Sequence, residues 1–170
     1  TGTGRVTGGV IAWNTFYRTG HNTIQVNAVG DPNPIEGFDV AYNTGFELGI
    51  TNSGECGFIE TDVMSEGLVQ FNRAWKISRG CSGVVANAYS DPAAFVDNLY
   101  RGNYIQGANY GIALANTGVI YPGNSAVHNY VAESALFGLH AYNAVGNVVR
   151  AWSLGIDEEE RSGLYGMSAL

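Results

Sequence analysis

The stretch AVHNYVAESALFGLHAYNAVGNVVRAWSLG, residues 126–155, decides the fold. It holds three short apolar runs, 127–131, 136–142 and 147–152, separated by small or polar residues. A surface helix needs apolar residues at i, i+3, i+4 and i+7 over ten or more positions, and no run has that room. Valine, tyrosine and tryptophan suit a pleated, half-buried surface. The stretch therefore predicts three short strands joined by tight Asn/Gly corners.

The same grammar recurs. Gly-led units begin at Gly9 (GVIAWN), Gly37 (GFDVAYN), Gly67 (GLVQFN), Gly111 (GIALAN), Gly138 (GLHAYN) and Gly163 (GLYGM), at intervals of 28, 30, 44, 27 and 25. The interval of 44 reads as two coils, with Gly83 (GVVAN) near the missing start. Several short strands repeated about every 25 residues predict a parallel β-solenoid, each coil stacked on the next at about 4.8 Å. Composition agrees: charge is sparse at 14%, and 24 glycines mark a corner-rich all-β chain. We expect one domain, 1–170, wound as a right-handed parallel β-helix of six to seven coils, a rod roughly 30 Å long.

Two further columns fit the frame. Trp13-Asn14, Tyr42-Asn43, Phe71-Asn72 and Tyr142-Asn143 place an aromatic before an asparagine. Asn22, Asn103, Asn129 and Asn147 open Asn-x-apolar triplets. Stacked coils would pile ring on ring and bond asparagine to asparagine at a corner, since asparagine tolerates left-handed backbone angles. Cys56 and Cys81 lie one period apart and would also stack, as two buried free thiols rather than a disulfide. Large apolar residues fall at Ile11/Trp13, Val40/Tyr42 and Val69/Phe71 in early units, but at Ile112/Leu114 and Leu139/Ala141 later. Strands apolar on both faces predict a covered outer wall, hence rods side by side. Gly30–Pro34 and Asp91–Phe95 are expected to bulge out as loops. Asp157–Glu160 reads as a solvated acidic loop; the alternative, a calcium site, lacks Gly-spaced oxygen ligands.

The balance of 15 acidic against 8 basic residues excludes a basic patch for nucleic acid. It also repels anionic polymers, unless the few cations gather in one groove. No apolar run reaches the length that spans a bilayer, so membrane insertion is not expected.

The stacked Gly-apolar-x-apolar-x-Asn units, from Gly9 to Gly163, resemble the right-handed parallel β-helix of pectate-lyase-like proteins and phage tailspikes. That resemblance implies three sheets, an internal stack of side chains, asparagine ladders and a polysaccharide bound or cleaved on an outer face. It also implies a homotrimer in an extracellular or virion (tail) setting. No capping helix is visible, so the chain reads as a section of a longer one.

Glycosidases of this kind use two carboxylates. Residues i and i+2 on one strand face lie about 6.5–7 Å apart, near the separation in inverting enzymes. Glu60 and Asp62 have this spacing, and Glu66 follows at the next corner. These three are the candidate catalytic residues. Arg73, Lys76 and Arg79, the densest basic cluster, are the candidate substrate-binding residues for an acidic sugar or a carboxylate. The alternative is that these charges only keep the rod soluble. A lyase would use Arg73 with Lys76, but no aspartate cluster offers a calcium site. No cofactor or metal is expected. Tyr89, Tyr100, Tyr104, Tyr110 and Tyr130 are expected partly outward, for stacking on sugars or on another subunit. His21, His128 and His140 form no nucleophilic triad. The rival reading is a structural solenoid that forms trimers or fibres without chemistry.

Overall fold

A computed structural model of the chain describes residues 6–27, 35–51, 56–78, 80–87, 96–116, 119–120, 123–135, 137–141, 143–151 and 165–169. Among these no helix occurs, and the strands wind as a parallel β-helix. The first coil is β1 (Thr7–Ala12), β2 (Thr15–Tyr17) and β3 (Ile24–Asn27). The second is β4 (Ile35–Ala41), β5 (Thr44–Leu48) and β6 (Gly57–Asp62). The third is β7 (Met64–Ser65), β8 (Leu68–Gln70), β9 (Arg73–Ile77) and β10 (Ser82–Asn87). The fourth is β11 (Leu99–Arg101), β12 (Tyr104–Gln106) and β13 (Tyr110–Ala113), followed by the antiparallel pair β14 (Ala115–Asn116) and β15 (Val119–Ile120). The fifth is β16 (Ser125–Val127), β17 (Tyr130–Ser134) and β18 (Phe137–Ala141). The last is β19 (Asn143–Val145), β20 (Val148–Ala151) and β21 (Tyr165–Ala169).

Three parallel sheets run along the rod. Sheet 1 follows β1-β4-β8-β11-β16-β19, with β7 attached to β4. Sheet 2 follows β2-β5-β9-β12-β17-β20, and sheet 3 follows β3-β6-β10-β13-β18-β21. Register places like over like. Inside sheet 3, Ile24, Ile59, Val84, Ile112 and Leu139 form one buried stack. Inside sheet 1 the stack is Ile11, Val40, Val69, Tyr100 and Ala126. Inside sheet 2 it is Phe16, Gly45, Ala74, Ile105 and Val131. Burying these stacks is the main stabilising term, at about 25 cal/mol per Å² of apolar surface.

Residue sizes are matched across sheets. Where sheet 2 carries Gly45, the Phe58 ring fills the space, 2.8 Å from where a Cβ on Gly45 would stand. Where sheet 2 carries Ile105 and Val131, sheet 3 answers with Gly83 and Gly111. A Cβ on Gly83 would also overlap the Gly111 carbonyl oxygen, so the two backbones approach too closely for any side chain.

Three expectations need correction. The Gly-led units are not one column. Gly9 and Gly67 belong to sheet 1, whereas Gly83, Gly111 and Gly138 belong to sheet 3. Phe38 takes the glycine's place over Gly9, which puts Gly37 one residue out of frame. The interval of 44 is thus a change of sheet, and the two face phases are those of two different sheets. Second, Ile11, Val40 and Val69 point inward but Trp13, Tyr42 and Phe71 point outward. Third, Cys56 and Cys81 are not free thiols; they form a disulfide between the second and third coils. Their Cα atoms are 4.8 Å apart, the strand spacing itself and within disulfide reach. The loops expected at Gly30–Pro34, Asp91–Phe95 and Asp157–Glu160 lie outside the described residues.

Candidate functional site

The corner between sheets 1 and 2 is built by one backbone device repeated in every coil. Trp13, Tyr42, Phe71, Gly102, His128 and Gly146 all have φ between 53° and 63°. Left-handed backbone costs a non-glycine residue about 1–2 kcal/mol, so something must hold these side chains there. The following asparagine does. Asn14, Asn43, Asn72, Asn103, Asn129 and Asn147 form a ladder in which each Nδ2 donates to the next Oδ1 at 2.9–3.0 Å. Each of the first five also donates its backbone N–H to the same Oδ1. The two asparagine columns of the sequence are thus one ladder. Asn143 instead lies in β19 beside Ser125, and Asn22 bonds Glu60 at another corner. A shorter ladder, Asn98 to Asn124, closes the corner leading into sheet 1.

The left-handed residue breaks strand alternation and turns its side chain to solvent. Trp13 stacks on Tyr42 at 4.2 Å and 3°, and Tyr42 on Phe71 at 5.3 Å and 21°. The Phe71 ring leans over Gly102, which has no side chain to block it. A second row of rings runs along the outside of sheet 2: Tyr17 stacks on Phe46 at 5.8 Å, and Trp75 follows 5.5 Å from Phe46, tilted by 51°. Further along, Tyr104 and Tyr130 stack at 5.0 Å and 3°. These rings stay wet: Trp13 is 75% exposed, Tyr17 61%, Tyr42 41% and Phe71 40%.

Between the stacks lies a groove in two parts. One, about 560 Å³, is lined by Trp13, Thr15, Tyr42, Thr44, Phe71 and Arg73. The other, about 470 Å³, is lined by Arg73, Trp75, Tyr104, Gln106, His128 and Tyr130. Arg73 and Gly102 line both, so the two parts adjoin at Arg73. Exposed rings beside hydroxyls and amides make this an amphipathic surface.

The residues expected to carry chemistry are not gathered here. Glu60 and Asp62 lie in β6 of sheet 3 and both are buried. Glu60 Oε2 accepts hydrogen bonds from Asn22 Nδ2 and, at 3.3 Å, from Gln25 Nε2. Glu66 is exposed at the corner leading into sheet 1, with φ 52°. Arg73 and Lys76 lie in β9 of sheet 2, and Lys76 Nζ sits 3.6 Å from Glu47 Oε1. Arg79 and Tyr89 lie outside the described residues. Among the described candidate catalytic and basic residues Arg73 alone lines the groove, together with Tyr104 and Tyr130 from the expected outward tyrosines, and Arg73 lies on a different sheet than Glu60 and Asp62.

Tyr100 is a correction: it is fully buried, with its hydroxyl 2.7 Å from Thr61 Oγ1. Burial pushes its phenol well above the ordinary range, and the Thr61 hydrogen bond offsets this in part. Partial burial likewise lowers the His140 imidazole. Tyr104, Tyr110 and Tyr130 are half-buried. Reading the sequence missed Tyr17, Phe46 and Trp75. Their signal was present: each stands three residues after a ladder asparagine. No cluster of three metal-ligating side chains occurs among the described residues.

No family model, curated protein or solved structure matches the chain, so the likeness to pectate-lyase-like and tailspike helices remains one of coil architecture.

Proposed function

We propose that this β-solenoid binds a polysaccharide along the outer face of sheet 2. The carrying observation is the pair of adjoining hollows, one walled by the Trp13–Tyr42–Phe71 stack and the other lined by Trp75, Tyr104 and Tyr130. Sugar rings lay their C–H faces on such aromatics, and Thr15, Thr44 and Gln106 supply hydroxyl and amide partners. Binding fits better than cleavage. No carboxylate stands among the described lining residues, and Glu60 is tied to Asn22 and Gln25 on sheet 3. The Cys56–Cys81 disulfide supports an extracellular or virion setting, because thiols stay reduced in most cytosols.

The test is a polysaccharide array, with affinities for wild type, Trp13→Ala and Trp75→Ala. Loss of about 1–3 kcal/mol per ring removed supports the reading, by analogy with base–aromatic stacking. Array silence, or unchanged affinity in both variants, sinks it. A second reading is side-by-side association of rods, such as a homotrimer. The exposed Val10, Val145 and Val148 favour it. Light scattering decides: a monomer at micromolar concentration excludes it.

A further inference from the structure

Charge is not spread evenly over this rod. The chain is acidic, with a formal net charge of −7. Yet four of the five described cations lie on one sheet. Arg73 and Lys76 lie in β9 and Arg150 in β20, and Arg18 directly follows β2, all on sheet 2. The fifth, Arg101, ends β11 of sheet 1, with its Nε donating to Gln70 Oε1 at 2.8 Å. Three of them sit against the aromatic walls: Lys76 Nζ is 4.7 Å from the Phe46 centroid, Arg101 Cζ 5.6 Å from Phe71, and Arg150 Cζ 5.9 Å from Tyr130. Of the eight described carboxylates, only Glu47 and Glu133 belong to sheet 2. Both stand in left-handed positions in line with Arg18 and Lys76, at the strand ends. The other six are Glu36, Asp39, Glu60, Asp62, Glu66 and Asp97, on sheets 1 and 3 and their corners.

The two halves of the groove also differ in chemistry. The half over the first three coils offers Thr15 and Thr44 hydroxyls among neutral rings, and shares Arg73 with the other half. The Asn14 amide there is already spent on Ala12 and Asn43. The half over the third to fifth coils offers Arg73, Gln106, His128 and Tyr130. Gln106 Oε1 accepts from Tyr104 Oη at 2.9 Å, so its amide presents N–H donors to a ligand. A guanidinium and an amide N–H pair suit a carboxylate or sulfate oxygen and give a neutral hydroxyl no charge to complement.

Resting on the polysaccharide reading above, we propose that the groove is divided by sugar chemistry. The half at Arg73, Gln106 and His128 seats an acidic sugar residue. The half at Trp13, Tyr42 and Phe71 seats neutral ones. The ligand is then a mixed polymer in which an acidic residue neighbours neutral ones. The acidic remainder of the rod repels such a chain and steers it to this one face.

The probes are an array of acidic and neutral polysaccharides, each acidic one paired with its carboxyl-reduced or desulfated form. Neutralising the acid removes one charge-assisted contact, so affinity should fall about tenfold and become less dependent on salt. Arg73→Gln should produce the same loss on the acidic form and little on the neutralised one. Gln106→Ala should follow it in direction. Arg73 is exposed, so its variant tests recognition and not folding. Equal binding of both members of every pair overturns this inference and leaves the glycan reading standing. An Arg73→Gln loss that is the same on both members overturns it too. No binding to any member overturns both.

Discussion

Replacing Asn72 by alanine should be among the costliest changes in this chain, although the asparagine touches no ligand. Its side chain makes four hydrogen bonds inside a fully buried corner. Asn43 N and Asn43 Nδ2 both donate to Asn72 Oδ1 at 3.0 Å, and Asn72 Nδ2 donates to Val40 O at 2.7 Å and Asn103 Oδ1 at 3.0 Å. Alanine removes all four. Asn103 Oδ1 keeps the Asn72 backbone N–H, and Asn43 Nδ2 keeps Ile11 O. The Asn43 amide N–H loses its acceptor, and the Val40 carbonyl loses that donor. A buried polar group left without its partner costs about 1–3 kcal/mol, so the variant should lose about 4 kcal/mol. For a domain of this size that is roughly 8–16 °C in Tm. The control is Asn14→Ala at the ladder's exposed end. There the side chain donates to Ala12 O and Asn43 Oδ1, and water can replace it, so the loss should be about 1 kcal/mol or less. Urea unfolding followed by tryptophan fluorescence, with equal m-values, gives both numbers. Equal losses at the two sites, or a loss below about 1 kcal/mol at Asn72, refute the ladder as a stabilising device.

The Cys56–Cys81 bridge closes a loop with a sequence separation of 25, which the chain-entropy relation makes worth about 3.5 kcal/mol. Urea melts of oxidised and reduced protein should differ by that amount, and two thiols titrating in the denatured, unreduced protein would contradict the bridge. Tyr100 sets a pH prediction. Its folded pKa is raised by burial, so the folded chain keeps a proton that the unfolded chain releases above about pH 10. Stability is full below that value and falls above it, by up to about 1.4 kcal/mol per pH unit. Tyr100→Phe should remove that one-proton component, and parallel curves for both proteins between pH 9 and 11 would refute it. Gly83→Ala meets the Gly111 backbone carbonyl and should not be rescued by Ile105→Ala. Gly45→Ala meets the Leu48 and Phe58 side chains first, so Phe58→Leu should restore part of its Tm.

The coil grammar was legible because a solenoid repeats its chemistry one layer up. Residues such as Asn14, Asn43 and Asn72 keep the same neighbours in sequence as in space. Faces were less legible. A left-handed residue at Trp13, Tyr42 or Phe71 interrupts the period of two, and aromatics do not advertise that conformation. The glycines misled for a related reason. They serve two sheets, and a shared residue type hid a change of sheet between Gly67 and Gly111. The disulfide was hidden because two cysteines are too few for a framework, whereas stacking alone brings them into range. The groove was half legible. Its first wall announced itself in the aromatic–Asn pairs, but on its floor Trp75 stands three residues after Asn72 whereas Tyr104 and Tyr130 directly follow their asparagines. Glu60 and Asp62 stand out in the sequence because i, i+2 spacing puts them on one face. Spacing cannot report that Asn22 and Gln25 sit on the next coil to hold Glu60.

The most direct measurement is the NMR signal of the Trp13 and Trp75 indole N–H groups during titration with the tightest polysaccharide of the array, assigned through Trp13→Phe and Trp75→Phe. The two rings stand at the wall and on the floor of the groove. Both signals should shift together, saturating at the same dissociation constant as the bulk titration. Binding that leaves both indoles unmoved would place the ligand on another face and contradict the account.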